Sequence, residues 1–237
     1  MLETKYQNFY DQISKKISIK KIFTDKLHTL AYGTDASFYR LIPKIVIKTD
    51  NAKEVQDIIE LSHSMNLSIT FRAAGTSLSG QAISDSILIV TSRNFSKFKI
   101  APDASFISLE PALTGAQVNG LLARYSKKIG PDPASINAAM IGGIAANNAS
   151  GMCCGISQNS YKTLKSMKLI FADGTKLDTA CEISKNEFRK THGEFLKELK
   201  SFSDDTKNNK ELRAKIERKF KIKNTCGYSL NALIDFE

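Results

Sequence analysis

The chain has 237 residues, 42% hydrophobic and 24% charged, the balance of an ordinary globular protein long enough to bury a sizeable core. No apolar run approaches the ~18 residues of a spanning helix, and the N-terminal MLETKYQNFYDQISKK lacks the apolar centre of a signal peptide. The net charge of +10 raises nucleic acid as a partner, but much of the excess sits in residues 207–223, without a recognition motif or interleaved aromatics, which argues for no nucleic acid.

In chain order, the first forty or so residues read as a helix followed by a connection. KIVIK, 44–48, has the β-branched density of a strand. Asn51 with Glu54 resembles a capping box, and Val55, Ile58 and Ile59 give NAKEVQDIIELSHSMN one apolar helical face. LSITF, 67–71, is the next strand and completes a βαβ unit. ILIV, 87–90, continues the sheet, and SFISLEP, 105–111, is one more strand, ended by Pro111. Thr114 and Gln117 form a second capping box ahead of Val118, Leu121, Leu122 and Tyr125, which recur at helical spacing.

The second strand of the βαβ unit delivers the chain into RAAGTSLSGQA, residues 72–82. Gly75 and Gly80 have P-loop spacing, but Gln81 and Ala82 follow, so the lysine and the magnesium-holding hydroxyl are missing. What remains is a loop rich in backbone N–H groups and in the small hydroxyls of Thr76, Ser77 and Ser79. Such a nest holds an anion without a lysine, and loops at strand ends of this kind of unit are where ligands bind.

GPDPASINAAMIGGIAANNASGMCCG, 130–155, is nearly free of charge and dense in Gly, Ala, Ser and Asn. Its asparagines and serines exclude a membrane span, and its small residues permit close backbone approach to another surface. We read it as a second ligand-contacting segment facing the loop at 75–80, with Pro131 and Pro133 holding its start extended. LKSMKLIFADGTKLDT, 164–179, is a hairpin turning at Asp173-Gly174. Two helical stretches follow, the second basic with Leu212, Ile216 and Phe220 as its apolar face. The chain stops at Glu237 within an apolar run, from which we expect a fragment.

Cys153, Cys154, Cys181 and Cys226 include an adjacent pair but no C-x-x-C, and read as reduced thiols. His28, His63 and His192 are scattered and lack metal-ligand spacing. No metal site is expected.

RAAGTSLSGQA, GPDPAS, MIGGIAANNASGM and MKLIFADGTKLDT, in that order, resemble the FAD-binding domain of flavin-dependent 2-hydroxy acid dehydrogenases of the vanillyl-alcohol-oxidase type. The resemblance is strongest to FAD-linked D-lactate dehydrogenases and the glycolate oxidase FAD subunit, and the tail KIKNTCGYSLNALIDF resembles the large iron-sulfur members. It implies a mixed α+β, two-lobed PCMH-type FAD-binding domain: a helical extension over 1–40, a βαβ-based first lobe over 41–128, and an incomplete second lobe over 129–237.

By this resemblance Gly75, Thr76, Ser77, Leu78, Ser79 and Gly80 match the loop whose amides bind the FAD pyrophosphate, with Gln81 a polar position beside it. Gly142 and Gly143 match an I-G-G turn on the flavin side, Asn148 and Ser150 a segment along the cofactor, and Asp132 and Pro133 a P-D-P stretch near the isoalloxazine. Thr76 stands where covalently flavinylated relatives have histidine, so FAD is expected without a covalent link. The implied activity is oxidation of a D-2-hydroxy acid, D-lactate first and glycolate or D-2-hydroxyglutarate as alternatives, with electrons passing to an iron-sulfur centre, quinone or cytochrome. A non-catalytic, truncated nucleotide-binding fragment is the rival reading. Catalytic residues, the substrate cap and any iron-sulfur cysteines fall beyond Glu237 on this comparison, and the catalytic residues stay unassigned. The expected location is cytoplasmic, with room for peripheral association at the cytoplasmic side of the inner membrane.

Overall fold

The computed structural model describes residues 2–222 and 228–236. The chain folds as two compact units: residues 1–128 with 135–143 and 172–174, and residues 129–134 with 144–171 and 175–237.

The first unit opens with α1 (Thr4–Ile13), β1 (Ile22–Phe23) and α2 (Lys26–Ala31). Then come β2 (Ile45–Thr49), α3 (Ala52–Ser64), β3 (Ile69–Arg72) and β4 (Ile87–Thr91). These strands form one sheet in the order β1-β2-β4-β3. β4 therefore lies between the two strands of the βαβ unit, parallel to both, with Ile45 opposite Ile87 on one side and Ile69 opposite Ile87 on the other. β1 is antiparallel to β2 and was not apparent from its two apolar residues.

The unbroken apolar runs of β2 and β4 are what a strand covered on both faces requires. Ile45, Ile47, Ile87 and Ile89 face a core shared with Tyr6, Phe9 and Ile13 of α1 and Ile58 of α3. Val46, Leu88 and Val90 face the opposite side, against Phe23 and Tyr32. The first forty residues thus supply packing to both faces of the sheet.

Asn51 Oδ1 accepts the Glu54 N–H at 3.0 Å, but Glu54 reaches back to the N–H of Asp50 at 2.8 Å, one residue beyond the expected box. SFISLEP becomes β6 (Ile107–Leu109), which pairs antiparallel with β5 (Phe98–Ile100) in a separate two-stranded sheet. Thr114 and Gln117 form the full reciprocal box at the start of α4 (Gly115–Ala123).

The chain crosses between the units in α5 (Ile141–Ala146). Within the second unit lie α6 (Ser160–Thr163), the antiparallel pair β7 (Lys168–Ile170) and β8 (Lys176–Asp178), and α7 (Glu182–Thr191). Phe188 of α7 packs on Phe171 with ring centroids 4.7 Å apart. The Asp173-Gly174 turn belongs to the first unit, where the carbonyl of Gly174, itself at φ +86°, accepts from Gln56 Nε2 at 3.0 Å.

α8 (Gly193–Asn208), α9 (Lys210–Phe220) and α10 (Ala232–Asp235) finish the unit. On α9 only part of the expected apolar face is covered: Ile216 is buried and Phe220 half-buried, while Leu212 stays 42% exposed. Cys226 lies outside the described residues. Among the described residues no helix is long and apolar enough to cross a membrane.

Candidate functional site

The glycine loop leaves the C-terminal end of β3, where the parallel strands end and their backbone direction must change. Gly75 and Gly80 both adopt the left-handed conformation, at φ +72° and +71°, which a side chain would strain. Ser77 braces the turn between them: its Oγ accepts from the N–H of Ser79 at 3.1 Å and of Gln81 at 3.3 Å, and donates to Gln81 Oε1 at 3.2 Å. Among the described residues the N–H groups of Gly75, Thr76, Ser77, Leu78 and Gly80 have no protein acceptor. The Leu78 side chain is 77% exposed. The loop thus offers a row of unsatisfied backbone donors held by its own hydroxyl, the arrangement that receives an anion.

Gly142 and Gly143 stand beside this loop within the first unit, in the opening turn of α5. The helix starts there because the preceding residues are pinned: Met140 bridges to Thr114, and the N–H groups of Gly115 and Ala116 donate to Ala139 and Ile136. A Cβ on Gly142 would come 2.7 Å from Pro111 Cβ, so that position must be bare. One on Gly143 would sit 3.4 Å from Ala73 Cβ, which places α5 against the first residues of the loop. Gly143 and Ala73 are therefore neighbours within the first unit.

Asp132, Pro133, Asn148 and Ser150 lie in the second unit. The Asp132 carboxylate accepts the N–H of Cys153 at 3.1 Å and of Cys154 at 3.2 Å. Burial pushes this carboxyl up, but the hydrogen bonds from Cys154 and Cys153 outweigh it and hold it below the ordinary carboxylate range. Asp132 is thus committed to its own loop, while Pro133 is half-buried next to it.

Asn148 is buried at φ +44°, a conformation asparagine tolerates. Both ends of its amide are used: Oδ1 accepts the Tyr161 N–H at 2.9 Å, and Nδ2 donates to Ser229 Oγ at 3.0 Å. Burial and the Asp235 carboxylate, which accepts the Tyr161 hydroxyl at 3.0 Å, push that hydroxyl up and keep it protonated. Ser150 is different. It is 4% exposed, and its Oγ has no hydrogen-bond partner, an uncompensated polar atom of the kind a ligand satisfies.

Two residues passed over in the sequence organise the loop. Arg72, the one cation in RAAGTSLSGQA, donates from Nη1 to the carbonyls of Thr34 at 2.7 Å and Ala82 at 3.2 Å. Asp35 accepts the N–H of Ser37 at 2.8 Å and of Ala82 at 3.3 Å. Burial pushes the Asp35 carboxyl up, but bonds from Ser37 and Ala82 and the nearby Arg72 hold it below the usual range. The available signal was charge: a lone arginine opening a small-residue loop, and an acidic residue in YGTDASFYR.

A diphosphate carries its charge on oxygens that accept hydrogen bonds, and the unsatisfied amides from Gly75 to Gly80 supply donors of the right kind. Residues 43–180 match the family model described as the FAD binding domain. The chain belongs to this FAD-binding family. FAD is the cofactor that the loop fits, and the orphaned Ser150 hydroxyl fits a polar ligand in the second unit.

Relatives agree. The chain is 24% identical over 176 residues to D-2-hydroxyglutarate dehydrogenase of Escherichia coli (strain K12), covering 73% of this chain and 17% of that protein. It is 30% identical over 135 residues to the glycolate oxidase subunit GlcD of the same organism, covering 54% of this chain and 27% of that protein. To D-lactate dehydrogenase of Archaeoglobus fulgidus it is 23% identical over 147 residues, covering 60% of this chain and 32% of that protein. The chain thus spans a third or less of the length of these relatives. In fold it is similar to alkyldihydroxyacetonephosphate synthase, with TM-score 0.64 at 16% identity over 78% of this chain and 38% of that one. p-Cresol methylhydroxylase follows at TM-score 0.63 and 13% identity, over 75% and 36% of the two chains. The mixed α+β architecture is that of the PCMH-type FAD-binding fold.

Proposed function

We propose that this chain is the FAD-binding part of a flavin-dependent dehydrogenase that oxidises a D-2-hydroxy acid, D-lactate first, with glycolate and D-2-hydroxyglutarate as alternatives. The observation that carries the reading is the row of unsatisfied amides between Gly75 and Gly80 in a chain of the FAD-binding family. FAD, when bound, supplies the acceptor for the hydride equivalents of the substrate carbon. The residues present bind and orient. The loop holds the diphosphate by backbone donors, Ser77 keeps those donors aimed, and Gly142 and Gly143 leave room for close backbone approach. Thr76 presents a hydroxyl, consistent with non-covalent attachment.

This reading gives the residues present the role of binding and orienting the cofactor and assigns no substrate-binding or acid-base group among them. Electrons leave to a protein acceptor or a quinone, and the basic α9 serves encounter with an acidic partner or peripheral contact with a membrane on the cytoplasmic side.

Titration of the purified chain with FAD, FMN and ATP, followed by flavin fluorescence and thermal shift, tests the cofactor assignment. Saturable binding that prefers FAD is expected, and preference for ATP defeats the reading. D-Lactate with a dye acceptor should give little or no turnover by the chain alone. The substrate class is tested on a chain of the relatives' full length, where reduction by a D-2-hydroxy acid is expected.

A further inference from the structure

A P-loop places a lysine inside the loop to meet the phosphates, and this loop has none. The structure places a cation beneath it instead. A Cβ on Gly75 would lie 2.5, 2.6 and 2.8 Å from Nη2, Cζ and Nε of Arg72. Three nearly equal distances mean that the flat face of the guanidinium lies against the Gly75 backbone. Nη1 meanwhile holds the carbonyls of Thr34 and Ala82, so the group is fixed between the segment after α2 and the end of the loop. Its Cζ lies 5.5 Å from the Tyr32 ring centroid, a cation-π distance. Gly75 in turn accepts the Ala36 N–H at 3.1 Å, closing the base of the loop.

We propose that Arg72 is the cation of this anion nest, supplying from behind the Gly75 backbone the positive charge that a P-loop lysine supplies from within, and that Asp35, which accepts the Ala82 N–H at 3.3 Å while Arg72 holds the Ala82 carbonyl at 3.2 Å, sets how much of that charge reaches the ligand. The inference rests on the reading of the loop as a diphosphate site. Arginine suits the role because it keeps its charge when half-buried, whereas a lysine in such a place sheds its proton more readily. A half-buried cation acts through lower dielectric than surface lysines do, so it acts on the ligand more strongly per charge. The loop amides supply direction, and Arg72 supplies field.

The test compares FAD, inorganic pyrophosphate and riboflavin, which shares the flavin ring but has no phosphate. With the whole 237-residue chain, Arg72→Met is expected to weaken FAD and pyrophosphate by about tenfold or more while riboflavin binding changes little. Arg72→Lys keeps a charge only while its amine stays protonated, so its pyrophosphate affinity should fall between wild type and Arg72→Met and drop further as pH rises. Asp35→Asn removes the opposing charge and should tighten pyrophosphate, an outcome that a purely structural role for the pair does not give. A folded Arg72→Met chain with an unchanged ratio of FAD to riboflavin affinity overturns the proposal. If Arg72→Met does not fold, unchanged or weaker pyrophosphate binding by Asp35→Asn overturns it. Wild-type chain that binds pyrophosphate but not FAD defeats the cofactor reading and leaves Arg72 to be judged on pyrophosphate. Wild-type chain that binds neither defeats both.

Discussion

A Cβ on Gly151 would overlap the carboxylate of Asp132. The same carboxylate accepts the amides of Cys153 and Cys154, so Gly151 is bare because the acid must come close enough to hold the turn beyond it. Gly151→Ala should destabilise the second unit by about 1–3 kcal/mol, the usual cost of overpacking a closed site. Urea unfolding followed by far-UV circular dichroism measures this, and an unchanged midpoint would show that the turn shifts freely.

Asp132 also predicts a pH dependence. Its folded-state carboxyl titrates below the unfolded value of about 3.9. Its stabilising contribution is therefore full above that value and is lost as pH falls through it toward the lower folded value. Asp132→Asn should lack this part of the acid limb. Its stability deficit against wild type should be widest near neutrality and narrow in acid, which unfolding curves at stepped pH resolve.

Gly80 is left-handed, and a Cβ there would come 2.9 Å from Cδ2 of Tyr39. Gly80→Ala adds a strain of about 1–2 kcal/mol to the nest conformation. A free loop relaxes away from that strain, so the cost reappears on binding. FAD affinity should fall about tenfold with a smaller effect on thermal stability, as read by fluorescence titration beside a thermal melt. Unaltered affinity would mean that the loop does not need this geometry to hold the cofactor.

Asn148 joins three parts of the second unit through its own amide: its backbone turn, Tyr161 and Ser229. Asn148→Ala removes both bonds and leaves a buried N–H and a left-handed backbone without asparagine. A loss of about 2 kcal/mol or more is expected. Hydrogen exchange should show faster opening at Tyr161 and over 228–236, and protection equal to wild type there would break the proposed link.

The features legible in the sequence are those decided by a few adjacent residues. Gly75, Gly80 and the Asp173-Gly174 turn announce left-handed backbone, and the Thr114–Gln117 box forms because both partners lie within one helical turn. The IVI of KIVIK and the run ILIV read as strands because an unbroken apolar run suits a strand buried on both faces. That β4 lies between β2 and β3 was not legible, since strand order depends on which edges meet after collapse. Nor was β1, whose two residues gain their strand geometry only from pairing with β2.

The site divides the same way. Its donor-rich loop and bare glycines belong to the sequence, because backbone freedom is a local property of glycine. The bond from Arg72 to Thr34 crosses 38 residues, and that from Cys153 to Asp132 crosses 21. Such contacts depend on how β3 and β4 bring the loop beside the segment after α2, and on how Gly151 lets an acid approach. Only tertiary structure therefore decides that Arg72 lies under the nest, that Asn148 is spent on its own unit and that the Ser150 hydroxyl is left unsatisfied. Long-range hydrogen bonds are selected by geometry that no short window of sequence contains.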